Sequence, residues 1–114
     1  MLEKQLVKGS LKPMILKLLK ENGKMYGYEI TQMVEKSTQG QIVMNFGALY
    51  PILHKLENEG DVETESIIVN NRTRVYYKLT KKGNNTAMEK IKELQDYVST
   101  LTQFLNTDFN YGLA

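Results

Sequence analysis

Four stretches of this chain space their apolar residues as helices do, and one alternates as a hairpin does. Leu11, Met14, Ile15, Leu18 and Leu19 recur at intervals of three and four and predict a first helix. Ser10 is its expected N-cap, Pro13 fits its opening turn and Asn22-Gly23 ends it. Residues 1–8 add a short preceding turn or helix. Tyr26-Gly27-Tyr28 opens a second helix that runs to about Ser37, with Ile30 and Val34 as its i, i+4 core pair. The polar KSTQGQ loop follows, and Ile42-Val43-Met44 predicts a short strand. A third helix is capped near Asn45 and stopped by Gly60. At about 100° per residue, Phe46, Leu49, Ile52, Leu53 and Leu56 share one side. Gly47, Pro51, His54, Lys55 and Asn58 share the other, with Tyr50 on the flank. Pro51 removes a helical hydrogen bond, so the helix either begins near Ala48 or opens with irregular turns.

The next segment predicts a two-stranded ribbon whose register follows from its turn. An Asn70-Asn71 turn accepts the positive φ angles of a two-residue hairpin and pairs Val69 with Arg72. Counting back, Val62 faces Leu79, Thr64 faces Tyr77 and Ser66 faces Val75 on one side, while Glu63 faces Lys78 and Ile67 faces Arg74 on the other. Thr80 then caps a last helix in which Ala87, Ile91, Leu94, Val98, Leu101 and Leu105 alternate spacings of four and three. That is a heptad seam, widened by Tyr97 and Phe104, and it most simply pairs with another helix. The tail TDFNYGLA reads as a frayed end.

Composition narrows the class. A chain of 114 residues, 41% hydrophobic and 25% charged, suits one ordinary globular domain with a modest core. No apolar run approaches the length of a membrane span, and MLEKQLVKG has no signal-peptide core. The absence of cysteine excludes disulfides and thiolate metal sites and suits the cytoplasm. The net charge of +2 is too small to indicate a partner by itself. Local clustering is more telling: between Ser66 and Met88 stand five bases, Arg72, Arg74, Lys78, Lys81 and Lys82, and no acid. A polar-faced helix beside a basic ribbon is the layout of a winged helix, which points to double-stranded DNA.

Three motifs carry a family resemblance. YGYEI at 26–30, ALYPILHKLENEG at 48–60 and RVYYKLTKKG at 74–83 resemble the PadR family of bacterial transcriptional regulators, in order and at suitable spacing. The single C-terminal helix is similar to the compact subgroup of that family. The resemblance implies a mainly α fold with a small β-hairpin. A winged helix-turn-helix domain would span residues 1–80, and a dimerisation helix with its tail residues 81–114. It further implies a homodimeric repressor with the third helix in the major groove and the wing on the adjacent backbone or minor groove. Some members of the family respond to aromatic compounds. With no tryptophan here, stacking of that kind falls to Tyr97 or Phe104.

The expected DNA-binding residues are Asn45, Gly47, Tyr50, His54 and Lys55 on the helix, Asn71, Arg72 and Arg74 on the wing, and Lys81. Base edges are read from an inserted helix, and phosphate contacts fix its position. Lys81 and Lys82 stand at a helix N-terminus, which disfavours cations, and a nearby phosphate would explain them. Ala87, Ile91, Leu94, Val98, Leu101 and Leu105 are the expected dimer seam. Met88, Tyr97 and Phe104 are candidate contacts for a small aromatic inducer. Tyr26 and Tyr28 are expected to pack between the first helices. The run Glu57, Glu59, Asp61, Glu63 and Glu65 reads as a solvated surface that repels misplaced phosphate.

His54 is the only histidine, and no second metal ligand or nucleophile–base pair accompanies it, so neither a metal centre, a cofactor nor an enzyme is expected. Two alternatives remain open: a winged-helix module that contacts protein and not DNA, and a repressor that also senses an aromatic molecule at the dimer interface.

Overall fold

The computed structural model describes residues 1–110. The last four residues of the expected tail, 111–114, lie outside the described part. The order of elements is α1 (Lys4–Val7), a 3-10 turn (Lys8–Ser10), α2 (Leu11–Asn22), β1 (Lys24–Tyr26), α3 (Gly27–Ser37), α4 (Phe46–Asn58), β2 (Val62–Val69), β3 (Arg72–Leu79) and α5 (Lys81–Leu105). Helices α2, α3 and α4 surround a core of Ile15, Leu16, Leu19, Ile30, Val34, Leu49, Leu53 and Leu56, all but excluded from solvent. Met25, Val62, Tyr77 and Ala87 close that core from the sheet and from α5.

The sheet is antiparallel, in the order β1-β3-β2. The ribbon pairs as its turn predicts, from Val69 with Arg72 at the tip to Val62 with Leu79 at the base. Asn70 and Asn71 hold φ angles of 51° and 61°, which a two-residue hairpin needs and which asparagine tolerates better than most residues. The short strand does not fall at Ile42-Val43-Met44. The Ile42 amide donates to the Thr38 hydroxyl at 3.0 Å, and the Gln41 carbonyl accepts from the Leu2 amide at 2.7 Å. The free edge of β3 is taken instead by Lys24–Tyr26, with Met25 opposite Tyr77 and Tyr26 opposite Tyr76. Gly23, at φ 82°, makes the turn that brings this strand back from α2.

Two helix starts differ from expectation in opposite ways. Ser10 does not cap α2, because the chain is already helical there. Its hydroxyl donates back to the Val7 carbonyl at 2.6 Å, and its backbone is αR. Asn45 does cap α4, its side-chain oxygen accepting from the Ala48 amide at 2.9 Å. Helix α4 stays regular from Phe46 through Pro51, which leaves the Gly47 carbonyl without the bond that a residue-51 amide would supply.

The start of α5 is seated on Asp61. The Thr80 amide donates to the Asp61 carbonyl at 3.0 Å, and the Thr80 hydroxyl accepts from the Gly83 amide at 3.0 Å. Gly83 is buried there, and a Cβ at this position would meet the Asp61 carbonyl oxygen at 1.8 Å. Its first turns pack against α2 through Ala87 and Ile91, and the remainder extends into solvent, giving the molecule extents of 67 × 30 × 21 Å.

Candidate nucleic-acid interface

Helix α4 presents a column of rings. Phe46, Tyr50 and His54 follow one another at i, i+4, with centroids 5.7 Å and 6.0 Å apart. Phe46 was expected in the core, yet it is 47% exposed. Leu49, Leu53 and Leu56 fill the core, while Phe46, the first residue of α4, lies at the edge of the same stripe on the side toward Tyr50. The i, i+4 spacing of 46, 50 and 54 puts the three rings in one row but does not distinguish a buried Phe46 from an exposed one. Gly47, His54 and Lys55 are exposed beside the rings, and among the described residues Lys55 has no acidic partner.

Tyr50 is held from behind. A Cβ on Gly27 would stand 2.5 Å from the Tyr50 hydroxyl, so the ring rests directly on the first residue of α3. A side chain at residue 27 would have to displace the Tyr50 ring from this seat. The same neighbourhood acts on Tyr77: burial, then the nearby Tyr50 and Glu57, push its phenol above the usual tyrosine range.

The ribbon divides into a packed base and a bare tip. Val62 and Tyr77 are buried, while Ile68, four residues from Thr64 toward the turn, is 76% exposed. Apolar side chains therefore cover the core only at the base. Asn71 and Arg72 are exposed at the tip, and Arg72 has no acidic partner among the described residues.

Arg74 is placed differently. Its guanidinium lies 4.5 Å from the centre of the Tyr26 ring, which meets Tyr76 edge-on at 5.3 Å. Within hydrogen-bonding reach of Tyr76, and near Tyr26 and Glu29, it titrates even higher than an ordinary arginine despite some desolvation. Tyr26 thus packs against the wing and not between the first helices, and its amide donates to Glu29 at 3.0 Å at the start of α3. Tyr28 is exposed.

The acidic run is not one solvated surface. Asp61 is 3% exposed and accepts a 2.6 Å hydrogen bond from the Thr86 hydroxyl. Lys82 lies 3.6 Å from the same carboxylate and also donates to the Glu59 carbonyl. This local anion accounts for Lys82 at the helix N-terminus without any phosphate. Lys81, one residue earlier, stays exposed. Glu63 pairs with Lys78 at 3.6 Å across the ribbon, and Glu65 reaches over β3 to Lys24 of β1 at 3.3 Å.

The heptad seam on α5 splits in two. Ala87 is wholly buried inside its own chain and has no surface to offer a second copy, which corrects its place in the expected interface. Ile91 and Leu94 are half-buried, with Ile91 packed on the core. Val98, Leu101 and Leu105 are exposed, as are Met88, Tyr97 and Phe104. Tyr97 lines a groove of about 580 Å³ with Leu6, Pro13 and Leu94. Met88 and Phe104 are not part of it and stand roughly two turns away on either side.

Among the described residues, no helix is long and apolar enough to cross a membrane, and no group of three or more His, Cys, Asp or Glu side chains is placed to hold a metal ion.

A helix-turn-helix core, a hairpin wing and a trailing helix define a winged helix-turn-helix protein of the transcription-regulator class. The profile of the transcriptional regulator PadR-like family matches residues 15–89, and the chain belongs to that family of regulators, which are not enzymes. A transcriptional regulator from Clostridium thermocellum is 26% identical and superposes with a TM-score of 0.80, over 90% of this chain and 99% of that one. A PadR-like transcriptional regulator from Bacillus cereus is 25% identical, with a TM-score of 0.75 over 91% of this chain and 99% of that one. An uncharacterised protein of Lysinibacillus sphaericus is 26% identical across 92% of this chain and 96% of its own length.

Proposed function

We propose that this regulator is a cytoplasmic, homodimeric repressor that binds operator DNA through α4 and the β2–β3 wing. The observation that carries this reading is the outward face of α4. It holds three rings in a row, with the polar Asn45 cap and Lys55 beside them, on a helix whose opposite side is locked into the core. Apolar rings suit thymine methyl groups, and a lysine without an acidic partner suits phosphate or a guanine edge. Arg72 at the wing tip supplies a second cation for the backbone, and Arg74 on its tyrosine platform fixes the angle at which the wing leaves the body.

Dimerisation is assigned to the outer half of α5. Val98, Leu101 and Leu105 expose a seam that a second copy would cover, and a two-fold pair of reading heads suits a palindromic operator.

The test is fluorescence anisotropy with DNA from immediately upstream of this chain's own gene, against a random duplex, over a salt series. Tighter binding to the upstream DNA with a steep salt dependence is the expected result. A folded dimer that binds neither duplex at low salt would move the reading to a protein-contact module.

A further inference from the structure

The N-terminal segment, residues 42–45 and the start of α4 line a half-open cavity of about 440 Å³ on the side of α4 away from its row of rings, with Asn45 the one lining residue it shares with the proposed reading face. Val7, Leu11, Ile42 and Ala48 form its floor and walls, and all four are aliphatic. Lys4 and Lys8 stand at its rim one helical turn apart, and among the described residues neither has an acidic partner. The mouth is held by the chain start, where the Leu2 amide donates to the Gln41 carbonyl at 2.7 Å. The volume falls within the range of small-molecule sites, and apolar walls with a few charged groups at one end are their usual lining.

We propose that this cavity binds a small amphipathic anion with an aliphatic tail, of the size of a medium-chain carboxylate. The tail is aliphatic because no ring lines the cavity, so nothing there rewards stacking. The head group is anionic because, among the described residues, neither rim lysine is paired with an acid, and a bound anion would exchange their hydrogen bonds to water for charge-assisted ones. The site also touches the reading head. Asn45 and Ala48, whose 2.9 Å hydrogen bond caps α4, both line the cavity. A tail seated there presses on the first turn of the recognition helix and shifts its entry into DNA. That coupling rests on the function proposed above, while the binding site itself does not.

Calorimetric titration of the intact protein with sodium decanoate, without DNA, tests the site. Decanol and benzoate serve as controls for the head group and the tail. The expected result is one site per chain, with decanoate at least about tenfold tighter than either control. Replacing both rim lysines (Lys4→Gln, Lys8→Gln) should reduce decanoate to the level of decanol, and Val43→Asp, at an exposed position on the wall, should abolish it. Lys17→Gln with Lys20→Gln should change nothing. The proposal is overturned by an absence of saturable binding, or by binding unchanged in the Lys4/Lys8 variant. Binding lost on Tyr97→Ala but retained in Val43→Asp also overturns it, since the ligand then sits in the groove beside α5. So does binding that appears only after the dimer is split, because a second copy then fills the cavity. With decanoate bound, anisotropy on operator DNA should show weaker affinity. Binding without that change refutes only the coupling.

Discussion

Gly83→Ala is the substitution with the sharpest expected outcome. In an ordinary helix interior it would stabilise the protein by about 1 kcal/mol, because alanine loses less backbone freedom than glycine on folding. Here the new Cβ would lie 1.8 Å from the Asp61 carbonyl oxygen and 2.8 Å from its carbon. Ordinary contact requires the two segments to part by roughly 1.5 Å. Neither is free to move. The Asp61 carbonyl accepts from Thr80, its carboxylate accepts from Thr86, and Gly83 itself donates to the Thr80 hydroxyl. Overpacking of this kind costs about 3 kcal/mol or more, so the net loss should be about 2 kcal/mol after the helix-propensity gain. That corresponds to a fall in Tm of roughly 8–12 °C for a domain of this size. Urea unfolding followed by circular dichroism at fixed protein concentration measures it. Gly9→Ala is the control, since nothing lies within 4 Å of a Cβ there. If Gly83→Ala gains stability as an exposed helical glycine would, the close seating of α5 on Asp61 is refuted.

The wing, the phenol and the seam each yield a separate expectation. Arg72→Ala should lower the slope of log affinity against log salt by about 0.9, the loss of one phosphate contact, on operator and random DNA alike. Arg74→Ala should weaken operator binding further by freeing the wing from Tyr26, and an unaltered slope in the double variant would remove the wing from the interface. Because the folded state holds the Tyr77 phenol above the usual value of 10.0, it keeps its proton while the unfolded chain releases one. Stability should therefore be intact below that pH and fall as pH rises past it, and Tyr77→Phe should flatten the alkaline limb of a denaturation-against-pH curve. Val98→Lys with Leu101→Lys should give monomers by sedimentation with an unchanged helical core, since both side chains are exposed in the single chain. A dimer that persists would place the interface elsewhere.

What could be read from the sequence followed how local each cause is. The hairpin register depends on two asparagines and a period of two, and every pair from Val62–Leu79 to Val69–Arg72 was legible from the turn alone. Strand β1 was not, because Lys24-Met25-Tyr26 is extended only through pairing with residues some fifty positions away on β3. Asp61 was misread for the same reason. In the sequence it is one acid among five, and its burial depends on a helix that begins twenty residues later. Ala87 shows the limit of periodicity: a heptad pattern marks an apolar stripe, but not whether α2 of the same chain or a second copy covers it. On α4 the apolar side was legible at Leu49, Leu53 and Leu56. Phe46 was not, because hydrophobicity alone does not separate a core ring from an exposed one.

The long reach of α5 has a geometric consequence for the proposed dimer. Its 25 residues make a rod of roughly 37 Å, gripped by the body only over its first turns. Two such rods crossing through their outer halves would act as a pair of tongs, with the α4 faces as the tips. Opening the crossing by a few degrees would move the tips by several ångströms, comparable to the 3.4 Å step between successive nucleotides of a strand. Half-site spacing on the DNA would then be set by the hinge of the tongs more than by the faces that read the bases.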